Sequence, residues 1–176
     1  FCPEDAIFEK GREVGDVERG MAGEVGFSRG LLRIGEAMSP PLIAAVKKDH
    51  RRADLTIIDA PPGTSCPVIE SVENTDFIVL ATEPTPFGLN DLKLAVGMAR
   101  ELGIPFGVVI NQADIGDGKV TDYCTVEGIQ ILASIPHDRR IAEAYSRGDM
   151  ATEALPEYAE LFKSLLDKIR DRVNSA

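Results

Sequence analysis

A carboxylate at the end of an apolar stretch is the residue of this sequence whose position most favours chemistry. Asp59 follows the apolar residues 55–58, and Pro61-Pro62 and Gly63 come soon after it. Because ligands of open α/β sheets bind outside the carboxyl ends of the strands, Asp59 could hold a metal ion there, directly or through water. Gly63 has no Cβ, so the backbone can approach a phosphate at this position. The alternative is that Asp59 only caps a loop.

The phosphate-binding loop that accompanies such a carboxylate in nucleotide sites is not in this sequence. Its pattern is Gly-x-x-x-x-Gly-Lys-Ser/Thr. The nearest match, residues 116–120 with the sequence GDGKV, has neither the spacing nor the hydroxyl. The sequence therefore predicts half of a nucleotide site, and we expect the chain, which begins at Phe1, to be a piece of a longer protein.

The composition is that of a globular domain with an acidic balance. The 176 residues carry a formal net charge of −10, which argues against broad nucleic-acid binding because phosphate contacts need clustered Lys and Arg. No apolar run approaches the roughly 18 residues that span a bilayer, and no signal peptide is visible. Cys2, Cys66 and Cys124 are too widely spaced to suggest a disulfide framework, so we expect a reducing, cytoplasmic location.

The elements that must position these residues change in character near residue 50. Residues 11–35 are rich in glycine and predict hairpins or a meander, and Ser39-Pro-Pro41 predicts the start of a helix. After residue 54, short apolar strands alternate with helices, which predicts a mostly parallel sheet with helices on both faces. The predicted strands are 55–58, 77–81, 106–110 and 129–133, and the predicted helices are 67–72, 90–102, 138–147 and 156–173, with a short helix between 117 and 127.

Four motifs follow these strands in order. They are IIDAPPG at 57–63, ATEP at 81–84, VVINQ at 108–112 and SIPHD at 134–138. Their order and spacing resemble the MinD/ParA-type P-loop ATPases, relatives of nitrogenase iron protein and of the Mrp-type cluster carriers. The resemblance covers roughly residues 50–173 and implies an α/β fold of the P-loop NTPase type, incomplete at its N-terminal side.

The resemblance also implies roles for individual residues. Asp59 would hold Mg²⁺ through water, and the Gly63 amide would sense the γ-phosphate of ATP. Asn111 would hydrogen-bond the adenine edge, Pro136 would pack on the base, and the backbone of 134–136, from Ser134 onward, would read its edge. The alternatives are an Asx-turn at Asn111 and an ordinary loop proline at Pro136.

The first residues resemble a second known motif. Residues 1–7, FCPEDAI, are similar to the end of a bacterial ferredoxin motif, in which the last cysteine precedes proline. A subgroup of MinD-like ATPases carries a ferredoxin domain inserted before the Walker B strand. The resemblance therefore implies that residues 1–38 end such an insertion, that 39–176 continue the ATPase domain, and that Cys2 is a [4Fe-4S] ligand in the intact protein.

The function implied by the resemblance is an ATPase. The intact protein would bind ATP and Mg²⁺, form a homodimer, and couple hydrolysis to iron–sulfur or metal cofactor handling or to electron transfer, with an unidentified client protein. We expect the chain alone to be inactive, because the amides and lysine around the phosphates are not in it. One alternative is a scaffold domain that needs no nucleotide. Another is a redox module using Cys66, at a predicted helix start, or Cys124.

The family arrangement makes one further expectation about the sheet. In this family the P-loop strand lies between the Walker B strand, here 55–58, and the next strand, here 77–81. Since the present sequence holds no such strand, we expect a slot in the sheet, with unpaired backbone groups on either side of it. The alternatives are that the two strands pair with each other, or that a glycine-rich strand from residues 11–35 or another chain fills the gap.

Overall fold

A computed structural model describes residue 6 and residues 10–48 and 53–174 of the chain. The chain folds into two compact units, residues 1–72 and 73–176. Cys2 lies outside the described residues, so the prediction for it rests on the sequence alone. None of the helices described here is long and apolar enough to cross a membrane.

The first unit contains the glycine-rich hairpin that the sequence predicts. Strands β1 (Gly15–Ala22) and β2 (Val25–Leu32) pair antiparallel. Helix α1 (Pro40–Lys48) packs on one face of this ribbon, where a Cβ at Gly30 would lie only 2.8 Å from the Leu42 side chain. Glycine is therefore required at this position for the helix to approach the ribbon closely.

Residues 55–58 do not form the predicted strand. The structure assigns them no strand, and no described residue pairs with their backbone. Their side chains are exposed, with Ile57 at 83%. An apolar stretch becomes a strand only where a neighbouring strand satisfies its N–H and C=O groups. The prediction of a buried strand here is wrong for the structure, because none of the described strands offers such a partner.

The second unit is built on a parallel sheet with the order β3-β4-β5. The strands are β3 (Ile78–Thr82), β4 (Phe106–Asn111) and β5 (Ile131–Ile135), each within two residues of its predicted bounds. Val108, Val109 and Ile110 of β4 are all at most 5% exposed. Successive strand residues point to opposite faces, so both faces of β4 are covered. The prediction of a parallel α/β sheet is confirmed.

The pairing of β4 with β5 contains one irregularity. Val108 is opposite Ile131, whereas Val109 is opposite Ala133, so the register skips Leu132. The carbonyl of Leu132 accepts a hydrogen bond from Lys168 Nζ at 2.6 Å. A charged side chain thus satisfies a carbonyl at the irregularity. The skip moves β5 on by one residue, so that Asn111 lies opposite Ile135 rather than Ser134.

The remaining helices belong to both units, and α3 has clear start and stop signals. They are α2 (Cys66–Val72), which closes the first unit, and then α3 (Pro86–Leu102), α4 (Lys119–Val126), α5 (Arg139–Ser146), α6 (Ala151–Ala154) and α7 (Pro156–Asn174). Helix α3 starts earlier than predicted because Thr85 caps it and Pro86 fits its first position. It ends at Gly103, whose φ is 67°. The short α6 was not predicted.

A charged cluster joins the end of β5 to α7. The Asp138 carboxylate accepts from the backbone N–H of Arg140 at 2.9 Å and so caps α5. The Arg140 guanidinium donates to Asp138 at 2.6 Å, and the buried Tyr158 hydroxyl donates to the same carboxylate at 3.0 Å. These hydrogen bonds, with that of Arg140 the strongest, hold the pKa of Asp138 well below its ordinary value.

Glycine at position 88 is required by the turn that follows β3. A Cβ there would lie 2.2 Å from the carbonyl oxygen of Glu83, whereas a Cβ at Gly97 of the same helix meets nothing within 4 Å. We predict that Gly88→Ala destabilises the fold by about 1–3 kcal/mol, as overpacking does. Gly97→Ala should stabilise it by about 0.5–1 kcal/mol, because alanine favours the helix. Urea unfolding followed by circular dichroism measures both, and equal effects would contradict the steric argument.

The Asp138 cluster predicts a pH dependence. Because the folded-state pKa lies below the unfolded value of about 3.9, the ionised carboxylate stabilises the fold above that pH, and its contribution is lost as the pH falls through the folded-state pKa. Asp138→Asn, which keeps a capping oxygen, should lower the free energy of unfolding at neutral pH. Its difference from the parent should shrink below about pH 4. Urea titrations over this range test it, with the exposed Glu160→Gln as control; a difference independent of pH would refute the linkage.

Candidate functional site

The carboxyl ends of β3, β4 and β5 meet at one edge of the sheet. In an open α/β sheet this edge is where ligands bind. The residues that follow the strands here are Glu83 and Pro84 after β3, Asn111 at the end of β4, and Pro136 after β5. These are also the places of three of the sequence motifs. The structure therefore brings the predicted residues Asn111, Ser134 and Pro136 to the same edge.

The loop after β3 is held against the loop after β4. Gln112 Nε2 donates to the Glu83 carboxylate at 3.0 Å. A Cβ at Gly116 would lie 1.8 Å from the carbonyl oxygen of Pro84, so the two backbones touch there. A cleft of about 60 Å³ between these loops has the volume of a few water molecules. It is too small for a nucleoside, so a base would have to bind on the surface of this edge.

Asn111 is half-buried, and its side-chain amide has no hydrogen-bond partner among the residues that the structure describes. The Asx-turn considered as the alternative is therefore not formed by these residues. The next residue, Gln112, has a φ of 50°, which is uncommon for a residue other than glycine. The backbone then turns, since the Ile115 N–H donates to the Gln112 carbonyl at 3.1 Å.

The loop after β5 is exposed and is tied to the loop after β4. Ser134 and Pro136 are both solvent-exposed. The Ile135 carbonyl accepts from the Ala113 N–H at 2.9 Å, and the His137 N–H donates to Asp114 Oδ1 at 2.6 Å. Ser134 thus lies in the strand and Pro136 just outside it, with their exposed surfaces available to a ligand.

The remaining predicted residues belong to the first unit. Asp59 and Gly63 are exposed, and Gly63 has a φ of 97°, a conformation that favours glycine. Among the described residues no cluster of three or more His, Cys, Asp or Glu side chains could hold a metal ion. A single accessible carboxylate is nevertheless enough for Mg²⁺ that is bound mainly by phosphates and water. Asp59 fits that use.

The two described cysteines have different surroundings. Cys66 is exposed at the start of α2, as predicted for a helix-start residue. Cys124 is fully buried in α4, and burial raises the pKa of its thiol. A raised pKa lowers the fraction of reactive thiolate at neutral pH. Cys124 is thus a packing residue in this structure.

Sequence reasoning missed Glu83, Gln112 and Asp114, which carry the contacts between the loops. Glu83 and Asp114 come soon after the ends of strands, as Asp59 comes after its apolar stretch. Their position after a strand is the sequence signal that could have identified them. The left-handed backbone of Gln112 had no signal, because glutamine does not favour it. A cleft of about 500 Å³ lies at the opposite edge of the sheet beside Phe106 and Gly103, away from these residues.

Comparison with known proteins gives relatives over most of the chain. No family model matches the sequence. An iron–sulfur cluster carrier protein from Aquifex aeolicus is 33% identical, with 69% of this chain and 38% of the relative covered. The chain spans about half or less of the length of the first relatives it matches.

Two solved structures with a similar fold are both MinD proteins. The cell division ATPase MinD of Pyrococcus furiosus is 24% identical with a TM-score of 0.62, covering 75% of this chain and 58% of that one. The septum site-determining protein MinD of Pyrococcus horikoshii, solved with Mg-ADP, is also 24% identical with a TM-score of 0.55, covering 74% and 54%. The chain therefore has the fold of the MinD-like P-loop ATPases, and among its homologues are iron–sulfur cluster carrier proteins.

Proposed function

We propose that this chain supplies the base-binding edge and the metal-side carboxylate of an ATP site in a MinD-like ATPase. The ATPase would act in iron–sulfur or metal cofactor handling, or in electron transfer. The observation that carries the proposal is Asn111. Its amide lies at the carboxyl end of the central strand and has no hydrogen-bond partner among the described residues, beside the exposed Ser134 and Pro136.

The chemistry of these groups suits adenine. A side-chain amide offers one acceptor and two donors, which match the N6 donor and N7 acceptor of adenine. The rigid ring of Pro136 can pack on the face of the base, and backbone groups from Ser134 onward can hydrogen-bond its edge. Guanine presents two acceptors where adenine presents one donor and one acceptor. The contacts that Pro136 and the backbone of residues 134–136 make with the base depend on where the base lies.

Asp59 and Gly63 would act at the phosphate groups of ATP. A Mg²⁺ ion held at Asp59 would neutralise negative charge on the phosphates of ATP. Asp59 would hold the ion through a water molecule, and the Gly63 N–H would contact the γ-phosphate. Because the Gly-x-x-x-x-Gly-Lys-Ser/Thr loop is not in this sequence, we expect the chain alone to be a poor ATPase or none.

Further parts of the proposal concern the whole protein. Residues 1–38 would end a ferredoxin-like insertion, with Cys2 as one ligand of a [4Fe-4S] cluster, and residues 39–176 would belong to the ATPase domain. The protein would act as a homodimer and serve a client protein. What supports these parts is the Cys-Pro motif at Cys2 and the similarity of the chain to iron–sulfur cluster carrier proteins.

The redox alternative now depends on Cys66. Cys124 is buried with a raised thiol pKa, whereas Cys66 is exposed. Rapid alkylation of Cys66 at neutral pH, together with failure of the full-length protein to bind ATP, would favour a redox module. Failure to bind ATP with an unreactive Cys66 would favour the scaffold alternative.

Loss of the Asn111 amide should weaken ATP binding by the full-length protein. One hydrogen-bonded amide contact is worth about 1–2 kcal/mol, so Asn111→Ala should raise the Kd for ATP by about tenfold. Asn90→Ala, an exposed asparagine on α3, is the matched control and should leave the Kd unchanged. Isothermal titration calorimetry measures both values. An unchanged Kd for Asn111→Ala would remove the observation on which the proposal depends.

Removal of the Asp59 carboxylate should abolish Mg²⁺-dependent ATP hydrolysis by the full-length protein. We expect Asp59→Ala to reduce the rate at least ~100-fold, since the ion would lose its protein anchor, with the fold largely intact because the side chain is exposed. Asp54→Ala, at another exposed aspartate of the same segment, is the control. Phosphate release is the measurement, and hydrolysis by Asp59→Ala near the parent rate would show the assignment to be wrong.

A further inference from the structure

The Asp114 side chain reaches across from the loop after β4 to the loop after β5. Its Oδ1 accepts a hydrogen bond from the backbone N–H of His137 at 2.6 Å. One residue earlier, the Ala113 N–H donates to the Ile135 carbonyl at 2.9 Å. Residues 113 and 114 thus bind the backbone on both sides of Pro136.

These two hydrogen bonds, one to the Ile135 carbonyl and one from the His137 N–H, position Pro136, whose own backbone nitrogen cannot donate one. Proline has no N–H, so the nearest donor after it is the N–H of His137. A hydrogen bond from an amide to an ionised carboxylate is stronger than one between neutral groups. The Asp114 contact therefore fixes where the chain leaves Pro136, just as the Ile135 contact fixes where it enters.

The spacing of Asn111 and Asp114 admits a different use. Two residues three apart at a strand end could both face a base, and a free carboxylate there could accept the N–H groups of a guanine. In this structure, however, Oδ1 of Asp114 is bonded to the His137 N–H. The carboxylate is therefore already engaged by the protein itself.

Resting on the proposed function, we propose that Asp114 is a positioning residue for base recognition. It does not contact the nucleotide. It holds Pro136 and the neighbouring backbone level with Asn111 at the end of the sheet, so that these groups together fit adenine. The discrimination between ATP and GTP then depends on Asp114, while binding of the phosphates does not.

The experiment measures binding of ATP, GTP and inorganic tripolyphosphate to the full-length protein by calorimetry. Asp114→Ala should raise the Kd for ATP about five- to tenfold, lower the preference for ATP over GTP by a similar factor, and leave tripolyphosphate binding unchanged. Asp114→Asn keeps an acceptor oxygen and should restore most of the preference. Asp117→Ala is the control, since the contacts of its carboxylate among the described residues are local ones to Lys119 at the start of α4.

A second pair of variants tests the donor side and covers the case in which Asp114→Ala fails to fold. His137→Pro removes the N–H and should reproduce the loss of preference, whereas His137→Ala keeps the N–H and should behave as the parent. An unchanged ATP preference in both Asp114→Ala and His137→Pro would overturn the inference. Loss of GTP binding with ATP binding intact would also overturn it, because Asp114 would then read a base directly. A parent protein that binds neither nucleotide would instead overturn the proposed function itself.

Discussion

The parallel pairing of β4 with a strand on each side is the interaction on which the candidate site depends. Val108, Val109 and Ile110 are all buried, so close packing against both faces holds this strand in place between β3 and β5. Packing of the core therefore fixes the position of Asn111 at the end of this strand. The irregularity at Leu132 then brings Ile135 level with Asn111, which places Pro136 immediately beyond it.

Much of the second unit could be predicted from sequence because its signals are local. Continuous apolar runs marked β3, β4 and β5, and the motifs at their ends marked the residues that gather at one edge. Residues 55–58 carry the same kind of run and do not form a strand. Their apolar character indicates a preference for burial, whereas strand formation also needs a partner, and a single sequence does not show where that partner is.

The contacts between loops lay beyond sequence reasoning for a different reason. The bonds from Gln112 to Glu83 and from Asp114 to the His137 N–H join residues far apart in the chain. Nothing in the local pattern around a surface glutamate or aspartate distinguishes a structural acceptor from a solvated charge. Glycine gave a partial signal, because Gly116 occupies a position where a side chain would collide with the backbone of Pro84, but this partner appears only in three dimensions.

Among the described residues, β3 pairs with β4 alone, and Val79 on it is 42% exposed. An open strand side with an apolar residue on it is a template for association between molecules, which natural proteins suppress by covering or charging such edges. The second unit by itself should therefore become less soluble as its concentration rises, and an early folding intermediate with β3 formed would be the species most prone to aggregate. Solubility during synthesis then depends on how soon another segment covers this strand.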